Sequence, residues 1–449
     1  MRVASIKPLF AWDELEDTPA IRTLRDLLES LPDEKLLSSL VLSRGRGRND
    51  YPVDVLWGTL VLTIALRHPT IDACLGELNR NPALRRLLGI KGEDMVPKKW
   101  NMSRFMAVLG EEPHLTLLHE VFDTMVSRLA AVVPDLGKDI AGDSSALKGR
   151  MDRSEKDPRR TDLPIANGGH KEYLDDDGNV TKIIEWFGYK IHLLVDRKHE
   201  VALAYHVTSA SAADCASVPS LVKQAESNLP ANRIKSLAYD KAADDKKIHA
   251  LLSTRGIKPL IEIRSHWKEM PERQLPGHDG SSNVVYDECG TIYCYDTASP
   301  KPVRHNMSYI GHEAARGTLK YRCPAKHEGW SCPSDKKCNG GKKYGKTVRV
   351  KQSIDLRRFP PVPRATKTFE RMYKERTSVE RVNARLKLFW GSDDGNVTGS
   401  QRFHGLLGTV MIIHVGFATL LATAPRWEGT LSHTKLSPIA KALQKQIAG

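Results

Sequence analysis

The stretch YKERTSVERVNARLKLFWG, residues 373–391, is the most informative part of this chain. Four functional side chains recur in it at steps of three, four and seven residues: Tyr373, Arg376, Glu380 and Lys387. On an α-helix these steps place all four within an arc of about 60°, and apolar residues cluster on the opposite side. The pattern predicts a helix that buries one face and presents a carboxylate between cations and a phenol. Such a face suits a metal ion with phosphates held on either side of it.

The spacing Tyr-x2-Arg-x3-Glu-x6-Lys resembles the signature of bacterial insertion-sequence transposases, which carry a catalytic triad of two aspartates and one glutamate (DDE). The resemblance extends from the SRF sequence at residues 103–105 to the C-terminal helix. It implies an RNase H-like, integrase-type core in which Glu380 is the third acid. For this segment alone, the competing interpretation is an ordinary surface helix with a charged, solvated face.

The bulk composition agrees with a protein that handles DNA. Lysine and arginine number 68 against 54 aspartates and glutamates, which gives a net charge of +14 and a pI near 9.3. This excess favours a polyanionic partner, although ribosome-associated and membrane-surface proteins share it. Residues 1–15 contain no apolar run long enough for a secretory signal, and an odd count of seven cysteines argues against a secreted disulfide framework. The sequence therefore predicts a cytoplasmic, nucleoid-associated bacterial protein.

Four segments follow from the pattern of apolar residues. Residues 1–132 show helical periodicity, and residues 133–264 change to short strands interleaved with helices. Residues 265–365 are rich in Cys and Lys, and residues 366–449 hold the signature segment and an apolar stretch at 404–427. That stretch approaches membrane-span length but contains His414, so a buried core helix is predicted. The predicted fold class is α/β: an RNase H-like mixed sheet with helices on both faces, preceded by an all-helical domain and interrupted by an insertion.

A basic turn near residue 100 is the candidate DNA-binding element of the helical domain. It combines Lys98, Lys99 and Arg104 with Trp100 and Phe105. It resembles the end of the N-terminal helical domain of these transposases, which binds the ends of the element. Without the resemblance, it is a basic edge of a small helical domain.

Two aspartates complete the predicted triad. Asp143 lies in IAGDSSAL, at the predicted end of the first strand, and Asp240 lies in SLAYDKAADDKKIHALL, after a later strand. Strand ends of this kind converge on one cleft in layered α/β folds, although a single Asp there is more often a cap or turn former. Asp244 and Asp245 compete with Asp240, but they are predicted to begin the next helix.

Glu375 competes with Glu380, but the helical pattern points Glu375 toward the apolar side. Three carboxylates suit two Mg²⁺ or Mn²⁺ ions, which activate water or a 3′-hydroxyl and stabilise the leaving oxygen of a phosphodiester. Arg376 and Lys387 would then hold phosphates, and Tyr373 would contact the DNA backbone.

Five of the seven cysteines fall within fifty residues of the insertion: Cys289, Cys294, Cys323, Cys332 and Cys338. Clustered thiols in a cytosolic chain suggest a structural Zn²⁺ site. Their spacing is not that of two tight C-x2-C pairs, so unligated, partly buried thiols stay an open alternative.

The predicted function is that of an insertion-sequence transposase. It would bind terminal inverted repeats of double-stranded DNA as a homodimer, cut at the element's ends and join them to target DNA. The alternatives are a catalytically silent DNA-binding relative and an RNase H-like nuclease without strand transfer.

Overall fold

The structure is a computed structural model that describes residues 18–45, 51–151, 163–175, 179–264, 267, 271–277, 283–394, 397–424 and 429–432. Residues 1–15, for which the sequence predicts no secretory signal, lie outside the described residues. The chain forms two compact units. The first comprises Met1–Asp139, Asp143–Arg233 and Ser378–Gly449, and the second comprises Ile140–Gly142 and Ile234–Thr377.

The first unit begins with helices, as the apolar periodicity predicts. Seven are present in the described part before residue 139: α1 Pro19–Ser30, α2 Glu34–Arg44, α3 Val53–Ala65, α4 Ile71–Arg80, α5 Pro82–Leu87, α6 Lys99–Leu109 and α7 His114–Val132. Every side chain of α3 except that of Asp54 is buried, which explains its apolar sequence. Thr18 and Thr70 accept backbone N–H groups at the starts of α1 and α4, so side-chain caps define both helix starts.

A six-stranded mixed sheet follows. Its strands and helices are β1 Asp139–Lys148, β2 Asn167–Leu174, β3 Val180–Asp196, β4 Ala202–Ser209, α8 Val218–Asn228, β5 Ser236–Tyr239, α9 Lys246–Thr254 and β6 Lys258–Ile261. The strand order is β2-β3-β1-β5-β6, with β4 also paired to β3. Strands β2, β3 and β4 pair antiparallel, whereas β5 and β6 are parallel. This mixed arrangement is consistent with the predicted RNase H-like fold.

The hairpin of β2 with the first part of β3 was not predicted from the sequence. Its apolar side chains are exposed instead of pointing to a core, among them Val180, Ile183, Ile184 and Phe187. Strand prediction depends on alternation between a buried and an exposed face, and this ribbon has no such alternation.

In the second unit, the insertion forms two antiparallel sheets. Its elements are β7 Glu272–Gln274, β8 Val284–Asp287, β9 Ile292–Asp296, β10 Val303–Asn306, β11 Ser308–Glu313, β12 Thr318–Arg322, α10 Pro324–Glu328, α11 Asp335–Asn339 and β13 Thr347–Lys351. The sheet orders are β10-β9-β8-β7 and β11-β12-β13. Side chains from both sheets form one apolar cluster, which includes Tyr286, Ile292, Leu319 and Phe359.

Three more helices complete the described part: α12 Lys367–Lys374, α13 Thr377–Ala384 and α14 Ser400–Thr423. By length and composition α14 resembles a membrane span, but most of its residues are buried inside the structure, where it packs against α3, α6 and α7. His414 on α14 accepts the backbone N–H of Ala202 at 3.2 Å. These contacts confirm the prediction of a buried core helix.

Candidate active site

The signature segment is not one continuous helix, and that prediction was wrong. α12 ends at Lys374, α13 begins at Thr377, and residues Arg385–Phe389 form a π-helical turn. The division between the two units falls close to this break, after Thr377, so that Tyr373 and Arg376 belong to the second unit and Glu380 and Lys387 to the first. Each piece buries its own apolar residues, so the periodicity on both sides conceals the break between them.

In the first unit, Lys387 is within electrostatic range of Asp143. Burial lowers the pKa of Lys387, and the carboxylates of Asp393 and Asp143 oppose this shift. Asp393 also accepts the backbone N–H of Lys148 at 2.6 Å, which ties the end of β1 to the loop after the π-helical turn. An aspartate of the predicted triad and the lysine of the signature therefore interact electrostatically within one unit.

Asp143 is half-buried and lies within β1, which continues to Lys148. Its prediction as the last residue of a strand was wrong. The polar residues after Asp143 suggested a strand end, but they remain in the sheet with partly buried side chains. Asp393 was missed altogether, although the acidic pair at residues 393–394 directly after the signature was a visible signal.

A buried ion pair anchors α13. The carboxylate of Glu200, between β3 and β4, accepts Arg381 Nε at 2.6 Å and Arg385 Nη2 at 3.0 Å. Arg385 also donates to the backbone carbonyl of Glu200 at 3.0 Å, and burial lowers the pKa of Arg385 to about 10 against the opposing effect of Glu200. Glu380 is exposed on the same helix. Glu200 and its arginines therefore hold the helix that carries the third predicted acid, a role without a local sequence signal.

We expect Glu200→Gln to lower the free energy of unfolding by about 3 kcal/mol, because it leaves the buried guanidinium of Arg385 without a countercharge. Chemical denaturation of the full chain measures this. The matched control is Glu120→Gln, whose partner Lys35 is 4.0 Å away and mostly exposed. That variant should change stability by less than about 1 kcal/mol. Equal effects of the two substitutions would contradict the anchoring role.

In the second unit, Tyr373 is within electrostatic range of Asp240. Burial raises the pKa of Tyr373, and the carboxylates of Glu262 and Asp240 raise it further, while Arg376 opposes them. Tyr373 also forms a hydrogen bond with Glu262, and the Arg376 guanidinium lies 5.9 Å from the centre of its ring. The phenol therefore interacts with two carboxylates and one guanidinium group.

Glu262 is an acid that the sequence analysis missed. Strands β5 and β6 pair in parallel with Tyr239 opposite Ile261, so Asp240 and Glu262 are the next residues at the same edge of the sheet. Asp240 also accepts the backbone N–H of Ala242 at 2.9 Å, so it caps a short 3₁₀ turn. An acid directly after a short apolar strand was the available signal.

The acids that compete with Asp240 and Glu380 in the sequence are a helix cap, a buried ion-pair partner and an exposed side chain. Asp245 accepts the backbone N–H of Lys247 at the start of α9, as predicted. Asp244 is buried, and it binds Arg357 Nε at 3.0 Å and His249 Nε2 at 3.2 Å. Glu375 is exposed, so its predicted orientation toward the apolar side was wrong.

The basic residues near residue 100 lie at the surface of the first unit. Lys98, Lys99 and Arg104 are exposed at the start of α6, as is Trp100, over whose ring Arg104 lies at 5.9 Å. Lys99 forms an ion pair with Asp72. The positions are compatible with binding a phosphate backbone.

Among the described residues, no group of three or more His, Cys, Asp or Glu side chains is arranged so that it could hold a metal ion. The residues beside Lys387 and Tyr373 are nevertheless carboxylates, whose hard oxygen donors fit Mg²⁺ or Mn²⁺ and not a soft ion. Four of the five clustered cysteines line one small cavity in the second unit.

Comparison with protein families agrees with this geometry. Residues 168–415 match the family described as "Transposase DDE domain", and residues 12–107 match the family described as "Transposase domain (DUF772)". The first match covers more than half of the chain, so the chain belongs to the DDE-domain transposases. Enzymes of this kind generally use divalent metal ions and act on DNA. A search of curated proteins found no match.

Proposed function

We propose that this transposase cleaves the ends of an insertion sequence and joins them to target DNA, with Asp143, Asp240 and Glu380 as its catalytic acids. One observation supports the proposal: each aspartate of the triad interacts electrostatically with a residue of the signature. Asp143 does so with Lys387, and Asp240 with Tyr373. Asp143 precedes the segment that matches the DDE domain, so its assignment depends on this neighbour and not on the match.

In the proposed mechanism, the three carboxylates would hold divalent ions, which would supply activation of water or a 3′-hydroxyl and stabilisation of the leaving oxygen. Lys387 would neutralise charge near Asp143 and would contact a phosphate there. Glu262 accepts a hydrogen bond from Tyr373, which orients the phenol beside Asp240. Arg376, close to the Tyr373 ring, would grip a second phosphate.

DNA recognition is assigned in this proposal to the exposed basic start of α6, with Lys98, Lys99 and Arg104 on phosphates of the terminal inverted repeats. A homodimer in the DNA complex would bring two ends together. A cytoplasmic, nucleoid-associated location belongs to the same proposal.

The proposal is tested with labelled double-stranded DNA that carries the element's own ends, a target plasmid, and Mg²⁺ or Mn²⁺. We expect metal-dependent nicks at the end boundary and a product joined to the plasmid. Nicks without joined product would indicate a nuclease without strand transfer. Tight, salt-sensitive binding without any cut would indicate a DNA-binding protein that has lost catalysis.

A further inference from the structure

A small cavity in the insertion is lined by Cys294, Cys323, Cys332 and Cys338. Cys294 lies on β9, Cys323 directly precedes α10, Cys332 lies between α10 and α11, and Cys338 is in α11. The cavity has a volume of about 20 Å³, which is room for one water-sized atom. Cys289 does not line it. The structure thus separates one of the five clustered cysteines from the other four.

The four thiols are close enough to interact. Cys294 is within electrostatic range of the thiols of Cys323, Cys332 and Cys338, and all four line the same cavity. None of them forms a disulfide, since all seven cysteines of the chain are free.

Backbone hydrogen bonds hold the loops that carry these cysteines. Cys323 N–H donates to the carbonyl of Lys346 at 2.8 Å, and Cys338 N–H donates to that of Ser334 at 2.8 Å. The carbonyl of Cys332 accepts the N–H of Asp335 at 3.1 Å. The positions of the three loop cysteines are therefore defined by local structure.

The two aspartates around the cavity have other partners, and the histidine packs against a tryptophan ring. Asp335 forms an ion pair with Lys326 at 2.7 Å, and the ring of His305 lies 4.8 Å from that of Trp330. Asp296 accepts hydrogen bonds from Ser299 and Ser334. His305 keeps its ring nitrogens as possible donors, and the four thiols form the largest group of like donors around the cavity.

We propose that Cys294, Cys323, Cys332 and Cys338 bind one Zn²⁺ as a structural tetrathiolate site. Zinc in closed sites takes four tetrahedral ligands and accepts thiolates readily, with Zn–S distances of about 2.3 Å. The described thiols are not already in ligand positions. Binding draws the sulfur atoms inward and releases their protons to solvent.

The site would join two parts of the insertion. Cys294 belongs to the sheet β10-β9-β8-β7, and Cys323 directly follows the last residue of β12 in the other sheet. Both sheets already share one apolar cluster. Zinc would add a second connection between them that is independent of the catalytic acids, so the inference stands apart from the proposed function.

The test is the metal content of the full-length chain, purified from zinc-supplemented cells without chelating resin. We expect about one zinc per chain, loss of most of it in Cys323→Ser and Cys338→Ser, and a lower Tm after chelation. Cys289→Ser is the matched control and should keep its zinc.

Cobalt(II) titration of the unsubstituted chain gives a readout that does not require the variants to fold. Intense tetrahedral cobalt bands with sulfur-to-metal charge transfer, displaced by zinc, are the expected result. The absence of both zinc from the purified chain and these bands from the titration would overturn the proposal. Loss of zinc in Cys289→Ser to the same degree as in Cys323→Ser would overturn the choice of ligands.

Discussion

Asp143→Asn, Asp240→Asn and Glu380→Gln should each reduce end cleavage by about a thousandfold or more, while binding of end DNA stays within a few-fold of the unsubstituted chain. Metal ions contribute several kcal/mol to stabilising transition-state charge, and every 1.4 kcal/mol corresponds to a tenfold change in rate. An amide keeps the shape of each side chain but removes the negative charge that holds the ion. Cleavage rates on labelled ends, measured beside a binding assay, separate the two effects.

Two controls isolate the position of the charge. Asp245→Asn removes a neighbouring carboxylate but keeps a residue that caps α9 equally well. Glu375→Gln removes the carboxylate nearest in sequence that competes with Glu380. Both should cleave at nearly the unsubstituted rate. Full cleavage by any one triad variant would remove that residue from the catalytic set, and loss of cleavage in a control would assign its residue to it.

Asp244→Asn should lower the free energy of unfolding by about 3–5 kcal/mol without a direct effect on chemistry. Arg357 is mostly buried and donates to Asp244, as do His249 and the backbone N–H of Arg264. Removing one partner of a buried pair leaves the other charge without compensation. Urea or guanidinium denaturation measures the loss, and Asp245→Asn at the exposed neighbouring position should change stability by no more than about 0.5 kcal/mol.

The same variant has a predictable pH dependence. Burial by itself would raise the pKa of Asp244, but hydrogen bonds from His249 and Arg357 hold it well below its usual value of 3.8. A carboxyl with a lowered folded-state pKa contributes stability that is complete above its unfolded pKa and is lost as the pH falls toward the folded value. The difference between the unsubstituted chain and Asp244→Asn should therefore shrink below about pH 4. A difference that stays constant to lower pH would contradict an ionised Asp244.

Local patterns predicted the fold class because they depend on local geometry. Alternating and helical periodicities follow from two and 3.6 residues per repeat, and they found the helical N-terminal region, most of the mixed sheet and the buried helix α14. They missed β2, whose ribbon with β3 exposes apolar residues such as Ile183. They also predicted one helix across residues 375–376, because each side of the break has its own regular pattern.

In the candidate site, too, the sequence identified residue types and their spacing but not the contacts between segments that are distant in the chain. Residue types and spacing singled out Asp143, Asp240 and Glu380 as candidate acids, and their joint catalytic role remains a proposal. The sequence did not show that Asp240 and Glu262 lie side by side. Asp240 follows β5 and Glu262 follows β6, and their proximity depends on the parallel register of these two strands.

By itself, the sequence determined the family, the basic character and the types of residue available for chemistry, because these depend on composition and short-range spacing. Only the tertiary structure decided which of those residues meet. It pairs Asp244 with Arg357, which are 113 positions apart in the chain, and Glu200 with Arg385, which are 185 apart. It also separates Cys289 from the four cysteines around one cavity. Such contacts form when distant segments pack together, and no periodicity along the chain encodes them.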